Sequence, residues 1–445
     1  MPDLVVTILI GCALLGAVSG VIGSFAVLRR RALMGDLLSH AALPGLCLAF
    51  LDAGYEREYS TLLIGALISG MIGVGLVTLL IRWTRTKEDA AIGIVLSTFF
   101  GFGIVLLSII QRMPGGGGKS GLERYTLGQA ANMSDGDVIT IAIVSVAVMA
   151  LVALLYKEFK VFSFDPDFAR SQGWPTLLLD LVMMGTLGLV AVVGVKAVGV
   201  LLVPALLITP GAAARFWTNR LETMLVLSGV LGLITGAVGT FISSGLLTEW
   251  LEFDPLAFGT NQKALPTGPV IVLTGTVIFL FSMVFAPQRG ILARWLLRLQ
   301  TNRKIARENL LRTLYELNES ALPQMNAISP EQLKAERAWS DAQLGRLLHS
   351  ARRAGWIVEV PLGVQMTPAG LSEAARITRT HRLWELFLIQ GANIASDHVD
   401  RDADAIEHVL PPEMVDDLEA ALAAQGRLPA QFGQVPKSPH ELSKG

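Results

Sequence analysis

Two groups of side chains in this 445-residue chain have the types and spacing to hold a metal ion. The first is Asp36 and His40, set in the run Gly35-Asp36-Leu37-Leu38-Ser39-His40-Ala41. At i and i+4 they share one face of a helix. His40 is the only histidine before residue 291. The second group lies far downstream: His381 and Glu385 at i and i+4, then Asp404, Glu407 and His408 at i, i+3 and i+4. Imidazole nitrogen and carboxylate oxygen without sulfur suit Mn²⁺ or Fe²⁺, and Zn²⁺ stands close behind. A path for a moving ion needs few ligands, because the ion must also leave. Plainer alternatives exist for both groups: Asp36 and His40 as a packing pair, and the downstream residues as a solvated charged face.

The elements that must position these residues differ in kind. Of the charged side chains, 36 fall in residues 1–290 and 37 in the remaining 155, although the mean hydropathy of the whole is +0.53. The first part is far below the charge content of a globular domain and the second matches it. Nine apolar runs have the length to cross a bilayer: about 4–28, 32–51, 60–81, 90–110, 137–155, 176–195, 197–214, 222–245 and 269–286. Asp36 and His40 thus fall at membrane depth, where an ionisable group is a functional candidate by default. Asp180 and Lys196 are further polar residues in or near spans. The first run is too long for a cleavable signal and ends in Arg29-Arg30-Arg31.

Basic residues follow spans one, three, five, seven and nine, at Arg29–Arg31, Arg82/Arg85/Lys87, Lys157/Lys160/Arg170, Arg215/Arg220 and from Arg289 onward. This alternation predicts an outer N-terminus and a cytoplasmic segment from residue 287 to the end. Gly118-Lys119-Ser120 resembles the close of a phosphate-binding loop, but Met113 stands where that motif needs glycine, and no strand precedes it. No nucleotide is therefore expected on this chain, and ATP hydrolysis would belong to a separate one. Cys12 and Cys47, both in apolar runs, offer neither a disulfide framework nor a thiolate metal site. A net charge of −1 points to no nucleic acid by itself.

Past the membrane part, Arg289, Arg294, Arg298, Arg303 and Lys304 mark a helix leaving along the lipid surface, with residues 291–304 as a basic linker. Helical patterns follow at 305–319, 330–338 and 341–354, the last capped by Ser340 or Asp341. Trp356–Val360 and Val364–Met366 alternate as a hairpin around Pro361-Leu362-Gly363. Three helices and a hairpin make a winged helix over 305–370. Its third helix, 341–354, is the expected recognition helix and carries Arg346, His349, Arg352 and Arg353, where arginine is able to read guanine or bind phosphate. Helical patterns at about 367–390, 400–409 and 412–424 would fill a further part over 371–425, followed by a flexible tail, 426–445.

Leu28–Gly45 (LRRRALMGDLLSHAALPG), Val198–Arg215 (VGVLLVPALLITPGAAAR) and Pro266–Gly290 resemble the permeases of manganese, zinc and iron importers of the ATP-binding-cassette type. The resemblance covers residues 1–290. It implies an all-α membrane bundle in a bacterial inner membrane, working with a second permease subunit, cytoplasmic ATPases and an extracytoplasmic metal-binding protein. It also implies that Asp36 and His40 line the ion path. Phe164, Asp165, Pro166, Asp167, Phe168, Ala169 and Arg170 are similar to the segment that docks on the ATPase, with Ser163 or Asp165 capping a short helix. Residues 305–425 resemble metal-dependent repressors of the diphtheria-toxin-repressor and manganese-regulator type, through Glu308–Glu319, Gln365–Gly370, Thr380–Leu388 and Ile406–Val409. That resemblance implies a winged-helix domain plus a helical metal-binding and dimerisation domain over 371–425 that takes Mn²⁺ or Fe²⁺. Asn309 and Arg312 stand where such regulators use metal ligands, and arginine cannot ligate.

Three functions are thereby in play. In the first, a metal permease is restrained by its own cytoplasmic metal sensor. In the second, the extension also represses transcription on DNA, after release from the membrane between about 287 and 305. In the third, the extension is a dimerisation appendage that senses nothing.

Overall fold

The computed structural model describes residues 2–53, 59–113, 133–200, 202–244, 265–322, 324–391, 413, 415–417, 419–420 and 435–436. The chain divides into two compact units, Met1–Arg294 and Trp295–Gly445.

The first unit is helical throughout its described residues. Its helices are α1 (Pro2–Leu28), α2 (Leu33–Asp52), α3 (Tyr59–Trp83), α4 (Glu88–Arg112), α5 (Asp135–Leu154), α6 (Tyr156–Phe164), α7 (Pro166–Ser171), α8 (Thr176–Val198), α9 (Val203–Trp217), α10 (Leu221–Ser243) and α11 (Thr267–Phe285). Eight of the nine expected spans are helices long and apolar enough to cross a membrane. The remaining one, 197–214, is built differently. Gly199 closes α8 at φ 96°, and α9 restarts at Val203 with Pro204 in its first turn and Pro210 inside it. Glycine takes that left-handed turn without strain and proline supports a new helix start. The 15 residues of α9 rise only about 22 Å, short of a hydrocarbon core of about 30 Å.

Burial sorts the helices into a centre and a rim. The most apolar window of α2 is 83% buried and those of α1 and α8 67%, against 22% for α4 and α11. The rim helices expose Ile64, Ile68, Ile94, Ile143, Val226 and Leu273, as lipid contact requires. Small residues let the centre close. A Cβ on Gly16 of α1 would fall 2.1 Å from the Gly232 carbonyl oxygen of α10, and one on Gly232 would fall 2.0 Å from that of Gly16. Backbone contact of this kind replaces the hydrophobic drive that lipid removes.

The second unit begins inside a single helix, α12 (Ile291–Asn318), so the linker and the first helix expected of the winged helix are one continuous element. Next come α13 (Pro330–Glu336), α14 (Asp341–Arg353), the strands β1 (Ile357–Val360) and β2 (Gly363–Met366), and α15 (Pro368–Gly391). Ser329 and Ser340 cap α13 and α14 with reciprocal capping boxes, Ser340 being one of the two residues expected there. The strands pair antiparallel, with Ile357 opposite Met366 and Val360 opposite Gly363. Leu310, Leu314, Leu333, Leu344, Ile357 and Met366 form a common core. This is the helix–turn–helix and wing that the sequence predicts. Of the two later helices, 400–409 lies outside the described residues.

Candidate functional site

Asp36 and His40 lie on α2, the most buried helix of the first unit. Their spacing closes as expected, with His40 Nε2 3.3 Å from Asp36 Oδ1. The His40 side chain is 11% exposed and that of Asp36 36%, so the carboxylate faces a more open space than the ring. Phe100 of α4 holds the imidazole edge to face at 4.7 Å between centroids. The other ring nitrogen, Nδ1, is buried and has no hydrogen-bond partner among the described residues. Most buried polar atoms are satisfied, so such a nitrogen calls for a ligand or a water. Cys12 and Cys47 are both buried free thiols, as expected.

A charged clasp that sequence reading missed joins helix ends on one side of this unit. Arg29 and Arg31 both bond Asp180 near the start of α8, and Arg31 also reaches Glu88 at the start of α4, 2.6 Å away. Arg30 between them sits at φ 59°, in the left-handed region unusual for arginine, and turns the chain so that its neighbours converge. The guanidinium of Arg29 also lies 4.0 Å over the ring of Phe162 on α6. Beyond that ring, Asp165 caps α7 by accepting from the Phe168 N–H at 2.8 Å, with Pro166 in the first turn. Ala169 is buried, whereas Phe164 is 55% and Phe168 51% exposed, beside the solvated Asp167 and Arg170. Phe164 at the end of α6 and Phe168 on the six-residue capped α7 thus present exposed apolar side chains on either side of the Asp165 cap.

In the second unit the structure brings His381 and Glu385 together on α15, with Nε2 to Oε1 at 3.2 Å. It also brings Arg312 of α12 to the same place. Nη1 of Arg312 lies 2.6 Å from His381 Nδ1 and 3.0 Å from Nε2, and its Nε lies 3.4 Å from Glu316 Oε1. Arg312, His381 and Glu385 are all buried, at 3%, 2% and 2% exposure. Burial raises the Glu316 carboxyl above its ordinary range, and Arg312 and His381 pull it back down. Asp404, Glu407 and His408, expected to complete this set, lie outside the described residues. No group of three or more histidine, cysteine or acidic residues is placed to hold a metal among the described residues.

The four residues expected on the recognition helix, Arg346, His349, Arg352 and Arg353, are exposed on α14. Two have partners within the domain: Arg346 Nε donates to the Ala342 carbonyl at 3.0 Å, and Arg352 pairs with Glu359 of the wing at 2.6 Å.

The sequence profile of the ABC 3 transport family matches residues 1–249, more than half of the chain. The chain belongs to the ABC 3 transport family. A second profile, the iron dependent repressor metal binding and dimerisation domain, matches residues 367–429 of this ABC 3 protein. The manganese transport system membrane protein MntC of Bacillus subtilis is 36% identical over 442 residues, 98% of this chain and 95% of that one. The zinc transport system membrane protein TroC of Treponema pallidum is 41% identical over 285 residues, 64% of this chain and 90% of its own. Among solved structures, PsaBC from Streptococcus pneumoniae in complex with Fab is similar, with TM-score 0.54 and 31% identity over 64% of this chain and 92% of that one. The two-part organisation read from charge content is thus that of a family permease joined to a repressor-type domain. The full-length match to MntC extends across both parts.

Proposed function

We propose that this chain is the membrane-spanning permease subunit of an ATP-driven importer for a divalent transition metal (manganese, zinc or iron), with a regulatory domain on the same polypeptide. The observation that carries this reading is the Asp36–His40 pair on the central helix, its imidazole buried with one ring nitrogen unsatisfied among the described residues and its carboxylate part-exposed. Imidazole and carboxylate are the ligand types that a borderline divalent ion accepts, and a pair of them binds weakly enough to release it. The ion is the cargo. The relatives named for manganese and zinc transport support the substrate class, and rank neither metal above the other.

The remaining parts take their roles around that path. Phe164 at the end of α6 and Phe168 on α7 dock on a cytoplasmic ATPase chain, whose stroke reaches the clasp at Arg29, Arg31 and Asp180 through Phe162. A second permease subunit completes the path, and an extracytoplasmic metal-binding protein delivers the ion. The basic ends of spans one, three, five, seven and nine put α7 and the second unit in the cytoplasm of a bacterial inner membrane, with the N-terminus outside. In the regulatory domain, metal sensing falls to Asp404, Glu407 and His408, because His381 already faces Arg312 and Glu385 pairs with His381.

The test is uptake of radioactive manganese into vesicles holding the chain with its ATPase and binding protein. Asp36→Asn and His40→Ala should abolish uptake while ATPase assembly persists. Transport by His40→Ala at the wild-type rate would remove the path from α2.

A second reading gives the domain a role on DNA, and the exposed basic face of α14 favours it. It requires salt-dependent binding that Arg346→Ala and Arg353→Ala weaken.

A further inference from the structure

The domain matched over residues 367–429 is a metal-binding one, and His381 and Glu385 lie inside the match. The surroundings of His381 do not fit a divalent ion. To ligate, an imidazole must turn a nitrogen lone pair toward the metal. Nδ1 of His381 faces the Arg312 guanidinium at 2.6 Å, and Nε2 lies 3.2 Å from Glu385 Oε1. The same Arg312 Nη1 lies 3.0 Å from Nε2, so the guanidinium stands against both ring nitrogens. Both nitrogens are thereby committed. A metal ion would also lie next to a charge that arginine never gives up.

Arg312 reaches this place from outside the matched segment, across from α12. Its guanidinium is 4% exposed, and a buried cation persists only where acceptors surround it. Among the described residues these acceptors include the His381 ring, with Glu385 behind it, and Glu316 on its own helix.

We propose that Arg312 is a resident cation: it takes, between α12 and α15, the place a divalent ion would occupy against His381 and Glu385, so that this packing is complete without metal. The consequence is a division of labour within the domain. The α12–α15 contact is held permanently in the arrangement that metal would otherwise have to induce. Any response to metal must then arise elsewhere. The inference is independent of the transport reading, since Asp36 and His40 play no part in it.

The test uses the full chain purified in detergent, stripped with chelator and dialysed against Mn²⁺ alone, with bound Mn²⁺ counted per chain. His381→Ala should bind as much as wild type. Arg312→Glu, which trades the cation for a carboxylate, should bind one more Mn²⁺ than wild type, and Arg312→Glu/His381→Ala should lose that gain. Mn²⁺ should raise the thermal unfolding midpoint of the second unit by more in Arg312→Glu than in wild type, and Arg312→Glu/His381→Ala should lose that excess. Asp36 and His40 are intact in every variant, so whatever they bind cancels in the differences. The proposal is overturned if His381→Ala lowers the wild-type count, or if folded Arg312→Glu gains no ion. Should Arg312→Glu fail to fold, the comparison of wild type with His381→Ala and with Glu385→Gln decides: equal counts uphold it and a lower count in either variant ends it.

Discussion

The chain carries the same pair twice, an acid and an imidazole four residues apart on one helix, and builds it to opposite ends. In the membrane unit, Asp36 and His40 stand 3.3 Å apart with a part-exposed carboxylate and an unsatisfied ring nitrogen among the described residues. In the second unit, His381 and Glu385 stand 3.2 Å apart with both side chains only 3% exposed and a guanidinium against the ring. Spacing along one helix makes a pair available. A residue contributed by another helix decides whether it stays open. Phe100 supplies only an edge contact to His40, which leaves the nitrogens free of charge competition, whereas Arg312 supplies a permanent cation to His381.

The sharpest way to break this comparison is to remove each imidazole in turn. His40→Ala should reduce metal uptake by more than about 100-fold, beyond the 10–100-fold typical of losing a mere outer-shell partner. His381→Ala should leave the initial uptake rate unchanged, and equal losses in the two variants would erase the distinction. A smaller effect separates buried from exposed arginines. Arg312→Ala leaves Glu385 buried beside an imidazole with no cation, and should destabilise the second unit by about 3–5 kcal/mol in a denaturant titration. The smallest effect serves as its control. Arg352 pairs with Glu359 at 2.6 Å, yet both side chains are more than half exposed. Arg352→Ala should therefore shift stability by only ~0–1 kcal/mol. Comparable losses from Arg312→Ala and Arg352→Ala would mean that Arg312 is no more than a solvated neighbour.

Much of this was legible before any coordinates, and what was not has identifiable causes. Apolar length found the long helices because lipid imposes length directly. The same signal counted 197–214 as a full span, since Gly199 and Pro204 interrupt the backbone without interrupting hydrophobicity. The caps at Asp165 and Ser340 were readable because capping is local in sequence. The clasp of Arg29 and Arg31 on Asp180 was not, although each residue stood out alone, because their partners lie some 150 residues apart in the chain. Arg312 was visible as a misfit among expected ligands. That its charge lies on His381 itself is a property of how α12 meets α15.

The glycine contact between α1 and α10 bears on how the protein is made. Gly16 emerges in the first helix and Gly232 in the tenth, yet each would press a Cβ against the other's backbone. At about 5–20 residues per second of synthesis, α1 waits on the order of ten seconds or more for its partner. During that interval its glycine face is unpaired in the bilayer, open to any other small-residue helix nearby. The bundle is thus fastened by its oldest and nearly its youngest helix. Quality control that inspects α1 early would meet a nascent chain indistinguishable from a failed one until α10 is inserted.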